Sequence, residues 1–179
     1  MEALDKTASA LKYFPDSLLD EPLAAYAIGR SGEALRYLPE RLITRELCYL
    51  GVHHGASLTA DIPERFYETE LLCTAITQYD QQIQYLSPAW LSEDLLVAYV
   101  KVDRGAFLDK YCQQGNVSKS RVLERVLEDG IAHLENLFCW HLSATVYEAA
   151  QKIYDKEEYR AVWDEVAEKY AHKIARFKK

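Results

Sequence analysis

The run Cys139-Trp140-His141 puts a thiol and an imidazole two residues apart. A cysteine nucleophile needs a base to make its thiolate, and His141 and His133 are the imidazoles nearest in sequence. Residues two apart on a helix point to different sides, and cysteine is among the residue types most often buried and inert. A second pair, His53-His54, is adjacent. Adjacent helical side chains diverge by about 100°, so this pair cannot clamp one metal as an i, i+4 pair does. It falls at an expected helix C-terminus, where histidine suits the dipole. A third group, Asp61, Glu64, Glu68 and Glu70, surrounds Pro63. Paired carboxylates perform acid–base work when their environments differ; the ordinary reading is a solvated face. There is no G-x-S-x-G, no phosphate-cradling glycine loop and no H-E-x-x-H. The expectation is a non-enzymatic chain with no catalytic residue, cofactor or metal.

The elements that carry these groups recur. Ala34–Ser57, ALRYLPERLITRELCYLGVHHGAS, is preceded by Ala10–Glu33 and followed by Leu58–Gln82 and Ile83–Ala106. Pro15, Pro39, Pro63 and Pro88 mark the period, with spacings of 24, 24 and 25 residues. Periods of this size belong to arrays whose repeats bury their apolar faces on one another. Three residues after each proline stand Leu18, Leu42, Phe66 and Leu91. Eight after it stand Leu23, Leu47, Leu71 and Leu96, and twelve after it Ala27, Gly51, Ala75 and Val100. At plus thirteen come Ile28, Val52 and Ile76, then Lys101. Apolar residues at plus 8, 9, 12 and 13 define one helical face. Asp20, Thr44 and Ser92 are the expected N-caps, and Gly29, Gly55 and Gly105 the expected C-terminal glycines. Each repeat therefore reads as a short helix ending before its proline, a turn, a longer helix and a tight return. Residues 107–114 read as a half-formed fifth repeat with Cys112 at the proline position, and Gln113–Asn116 as a closing loop.

Beyond Asn116 the pattern is ordinary helix. Ser118 or Ser120 caps a helix carrying Val122, Leu123, Val126 and Leu127 and ending at Gly130. Ile131, Leu134, Leu137, Phe138 and Trp140 lie on a second, and Thr145-x-x-Glu148 has capping-box form for a third. Tyr159, Trp163, Val166, Tyr170, Ile174 and Phe177 make one apolar stripe. Such a stripe is a lid on its own domain, or a seam for a homodimer.

Composition narrows the class. A chain of 179 residues with 49% hydrophobic and 27% charged side chains is globular rather than disordered. No apolar run reaches the ~20 residues of a membrane span, and residues 1–11 lack the apolar core of a signal peptide. Four scattered cysteines without C-x-x-C fit a reduced, cytoplasmic chain with buried thiols. Residues 1–116 hold 10 basic and 17 acidic side chains, and so all of the net charge of −7. An acidic array repels nucleic acid and membrane surfaces and favours a basic protein partner.

The unit A-L-x-Y-x-P-x-x-L-x-x-x-E-L-C-x-x-x-V-x-x-x-G resembles an uncharacterised family of bacterial tandem helical repeats. Its period is also similar to that of the leucine-rich repeat variant family, which stacks short helices into a superhelix. The resemblance covers residues 10–106 and implies a binding scaffold in a bacterial protein; it brings no catalytic motif.

The expected architecture is an all-α solenoid of about four repeats, residues 1–116, with a C-terminal helical cap, residues 117–179. The expected function is a protein-binding module, in its most concrete form a small acidic inhibitor or immunity-type protein covering the basic site of a toxin or nuclease. Its rivals are a self-associating adaptor and an enzyme using the Cys139/His141 region. Tyrosine and arginine are favoured at interfaces. The candidate contacts are therefore Tyr37, Arg45, Tyr49, Tyr67 and Trp90, with the acidic Glu64 and Glu68.

Overall fold

The computed structural model describes residues 8–103, 107–130, 133–154 and 157–176, and among these no residue is in a strand. Two compact bodies form, Met1–Leu86 and Ser87–Lys179. The division falls inside the fourth repeat, and the charge boundary at Asn116 lies within the second body.

In the N-terminal body the elements run in similar successive sets. A 3-10 segment, a second one beside the proline and an α-helix follow one another: Ala8–Tyr13, Asp16–Leu18 and α1, Glu21–Arg30. The next set is Gly32–Tyr37, Glu40–Leu42 and α2, Arg45–His53. In the third, one α-turn, α3, Leu58–Asp61, replaces the first 3-10 segment, followed by Glu64–Phe66 and α4, Thr69–Gln78. Asp80–Tyr85 opens the fourth. The expected short first helices are thus mostly 3-10. Pro15, Pro39 and Pro63 themselves hold extended ψ of 139°, 143° and 135° as the N-caps of the second segments, at the φ near −60° that the ring fixes.

The plus 8, 9, 12 and 13 face is the buried one. Leu47, Cys48, Gly51 and Val52 are buried on α2, and Leu71, Leu72, Ala75 and Ile76 on α4. The plus-three position is not uniformly apolar core: Leu18 is 62% exposed, Leu42 and Phe66 are half-buried, and Leu91 is buried. α1 packs on α2, α2 on α4, and Gly32–Tyr37 lies against both α1 and α2. The Gly32 N–H donates to the His54 carbonyl at 2.8 Å. A Cβ on Gly32 would run into the backbone of Ala56 and the Gly51 carbonyl.

The cap expectations divide. Asp20 and Thr44 accept from the amides of Leu23 and Leu47, and Ser92 accepts from Leu95. Gly55 takes φ +86°. Gly29 instead lies inside α1, and Ser31 ends that helix; Gly105 is outside the described residues.

The C-terminal body holds Pro88–Trp90, α5 (Glu93–Asp103), α6 (Leu108–Gly115), α7 (Lys119–Glu128), α8 (Leu134–Trp140), α9 (Ala144–Tyr154), α10 (Arg160–Lys169) and α11 (Ala171–Ile174). α7 packs on α5 and α9, and its buried Val122, Leu123, Val126 and Leu127 match the expected face. Gly130 follows with φ +141°. The expected loop at Gln113–Asn116 is a correction: helix α6 continues through Gly115, and Asn116 ends it at φ 52°. Asparagine tolerates this left-handed cap better than most residues. Thr145 does not open the third helix, because α9 starts one residue earlier and the Ser143 hydroxyl accepts from Val146 N. The C-terminal stripe turns inward. Trp163, Val166, Tyr170 and Ile174 are buried, and Phe138 meets the rings of Trp163 and Tyr170 edge-on at 5.9 and 6.1 Å. It is not one continuous helix, since α10 and α11 are separated at Tyr170. Ile131 and Phe177 lie outside the described residues. No helix among the described residues is long and apolar enough to cross a membrane.

Candidate interaction face of the repeats

Polar side chains of the N-terminal body reach from one repeat to the next with near-constant offset. Arg41, two residues after its proline, donates to the carbonyls of Asp16 and Leu19 at 2.6 and 3.1 Å. Arg65, at the same place one repeat later, pairs with Glu40. Arg36 Nε donates to Asp61 at 2.6 Å, and Asp61 also accepts from Ser57 N at 2.7 Å. Asp61 is buried, and these two donors satisfy the charge that burial would otherwise penalise. Gln82 bridges backward as well, accepting from Leu58 N at 2.6 Å and donating to the Ala56 carbonyl at 3.3 Å.

Three of the candidate contact residues converge in one such link. Arg45 Nε donates to Glu68 at 2.6 Å, and the Tyr49 hydroxyl donates to the same Glu68 oxygen at 2.9 Å. Arg45 also reaches Glu70 at 3.4 Å. The Arg45 bond first, and the Tyr49 bond second, hold the Glu68 carboxyl below the usual carboxylate range. Desolvation, reinforced by the bond to Glu68, pushes Tyr49 up to about 12. These groups serve an inter-repeat clasp, with a shallow depression beside it lined by Arg45, Glu46, Tyr49 and Glu70.

The other candidates are dispersed. Tyr67 donates to the Leu58 carbonyl at 2.5 Å, a bond that pins the third repeat to itself. Glu64 is exposed just after Pro63, Tyr37 is half-buried at the end of its 3-10 segment, and Trp90 is half-buried in the C-terminal body. Tyr13 and Tyr85, absent from the sequence-based set, are 77% and 65% exposed. The signal was available, because both close an (L/I)-x-Y segment as Tyr37 does. A periodic tyrosine reads equally well as packing, and only exposure separates the two.

Cys139 is exposed near the end of α8, while His133 precedes the first residue of that helix. His141 instead lines a cleft of about 170 Å³ between α7 and the start of α9, with Lys119, Ser120, Glu124, Ser143 and Thr145. The exposed Cys139 departs from the buried thiols expected; Cys48 and Cys112 are buried, and desolvation pushes the Cys48 thiol up to about 11. His53 shares a 2.6 Å contact with Gln78 of the next repeat, and no cluster of metal-binding side chains occurs among the described residues.

Compared with family models, with curated proteins and with solved structures, the chain matches none.

Proposed function

We propose that the N-terminal body is a protein-binding repeat array, stacked as an α-solenoid, whose partner presents a basic surface. Its concrete form is an acidic inhibitor or immunity-type protein seated over the basic site of a toxin or nuclease. The observation that carries this reading is the distribution of charge. Residues 1–86 hold 13 acidic against 7 basic side chains, and Arg36, Arg41, Arg45 and Arg65 all direct their guanidiniums into bonds with neighbouring repeats. Arg36, Arg45 and Arg65 are each paired with a carboxylate, and the acidic side chains left in excess give this body its net negative charge. Complementary charge chiefly accelerates encounter, and its reach shrinks from ~10 Å at 0.1 M salt to ~3 Å at 1 M.

The test is capture of the native partner at low salt, followed by stopped-flow association with the purified partner at low and high salt. A basic partner whose association rate falls steeply with salt is the expected result. A partner with a flat salt response contradicts the reading.

A further inference from the structure

We propose that the C-terminal body carries a small-molecule site, the cleft between α7 and the start of α9, and that its ligand is a free α-amino acid with an aliphatic side chain of about leucine's size. This does not rest on the basic-partner reading, which concerns the other body.

The cleft encloses about 170 Å³. That is less than the ~300 Å³ at which pockets for drug-sized ligands begin, so its occupant is small. Leu123, Leu127 and Val146 form its apolar side, and all three are buried. They offer a short aliphatic chain a surface on which to leave water.

Charged groups of both signs share the lining. Lys119 is the first residue of α7, and Glu124 lies five residues further along the same helix, about 7.5 Å along its axis. Lys119 pairs with Asp109 at 2.7 Å, which uses one of three ammonium donors and leaves two. Ser118, just before it, makes no side-chain cap bond, so the positive end of the α7 dipole also favours an anion there. Glu124 makes no ion pair among the described residues. The Ser143 hydroxyl accepts from Val146 N at 3.2 Å, which leaves its O–H to donate. His141 completes the rim, and imidazole nitrogens serve as donor or acceptor.

This lining selects against simpler ligands. A plain anion would meet Glu124. A plain amine would meet Lys119 and the helix dipole. A hydrocarbon would take water from both charges and return no partner to either. A zwitterion satisfies both, with its carboxylate on Lys119 and its ammonium on Glu124. Charge-assisted bonds of ~2.8 Å at either end let so short a molecule bridge residues ~7.5 Å apart along the axis. Its side chain is then left for Leu123, Leu127 and Val146.

The experiment titrates L-leucine into the isotope-labelled full chain and follows the amide resonances by NMR. Two truncated analogues run alongside: isocaproate, which lacks the ammonium, and isoamylamine, which lacks the carboxylate. Leucine should shift the Ser120, Glu124 and Thr145 amides saturably and bind about tenfold tighter than either analogue. Glu124→Gln should bring leucine down about tenfold without weakening isocaproate, a control that separates lost recognition from a lost fold. Lys119→Gln should weaken leucine and isocaproate but not isoamylamine. Leucine that binds no tighter than its analogues overturns the zwitterion, as does a Glu124→Gln variant that binds leucine like wild type. The absence of any saturable shift with leucine overturns the site.

Discussion

Tyr49 on α2 and Glu68 of the following repeat share a 2.9 Å hydrogen bond, and the Glu68 oxygen that accepts it also accepts from Arg45. One carboxylate thus ties two side chains of the preceding helix to the next repeat. The same bond accounts for an irregularity. Glu68 occupies the N-cap position of α4 yet makes no side-chain cap bond there, because its carboxylate is engaged with Arg45 and Tyr49.

That clasp has a pH signature. A carboxyl held low when folded contributes stability that is present above its unfolded value of about 4.3, and that is lost as pH falls through the folded value. Glu68→Gln should therefore melt below wild type at neutral pH, with the difference closing in acid. The Tyr49 phenol, raised to about 12, has the opposite sense: its contribution is intact below about pH 10 and lost as pH rises toward the folded value. Spectrophotometric titration of Tyr49→Phe should lack one late tyrosine ionisation. Thermal melts across the acid range check the first half, and a Glu68→Gln difference that persists there counts against it.

Two glycines three residues apart should respond oppositely to alanine. At Gly29 an added Cβ has nothing within 4 Å, so Gly29→Ala should stabilise α1 by up to about 1 kcal/mol through helix propensity. At Gly32 the same methyl collides with backbone of the neighbouring segment, so Gly32→Ala should destabilise sharply or fail to accumulate folded. Urea melts of the pair give the comparison, and equal effects would contradict the close approach.

Leu47 is 4% exposed on the buried face of α2. Leu47→Ala should cost about 2–5 kcal/mol, the range for a leucine truncated in a packed core. Leu18→Ala, at an expected apolar position that is in fact open, should fall within about 0.5 kcal/mol of wild type. Denaturant midpoints for the two variants decide whether the assigned register is the real one.

The thiols should separate by reactivity. Thiolate fraction and access together control attack. Cys139 is exposed, whereas Cys48 and Cys112 are buried with thiols pushed upward by desolvation. A thiol-specific reagent on native protein should label Cys139 first, and Cys48 and Cys112 only after denaturant is added. Peptide mapping of the label is the check.

What the sequence made legible follows from what periodicity encodes. Leu47, Val52, Leu71 and Ile76 repeat at helical spacing because a buried face requires it, and Asp20, Thr44 and Ser92 stand where backbone amides require an acceptor. The 3-10 character of Gly32–Tyr37 leaves no such trace, because six residues are too few to distinguish a period of three from 3.6. Gly29 and Gly32 are identical letters, and only the neighbouring backbone tells them apart. The links from Arg36 to Asp61 and from Arg45 to Glu68 join positions more than twenty residues apart. Solvent-facing charges follow no pattern that would pair them in advance, so the bond that Arg45 makes to the next segment is not legible in the sequence.

Arg41 and Arg65 bond to residues that precede them in the chain, whereas Arg36 and Arg45 bond to residues that follow. During synthesis from the N-terminus this becomes an order of events. When Arg41 leaves the ribosome its acceptors at Asp16 and Leu19 have already been made, and Glu40 is likewise made before Arg65. These seams can close as each new repeat emerges. Arg36 and Arg45 must wait about another repeat's worth of translation for Asp61 and Glu68. A pause after residue 57 would therefore leave Arg36 and Arg45 without the carboxylates that later receive them.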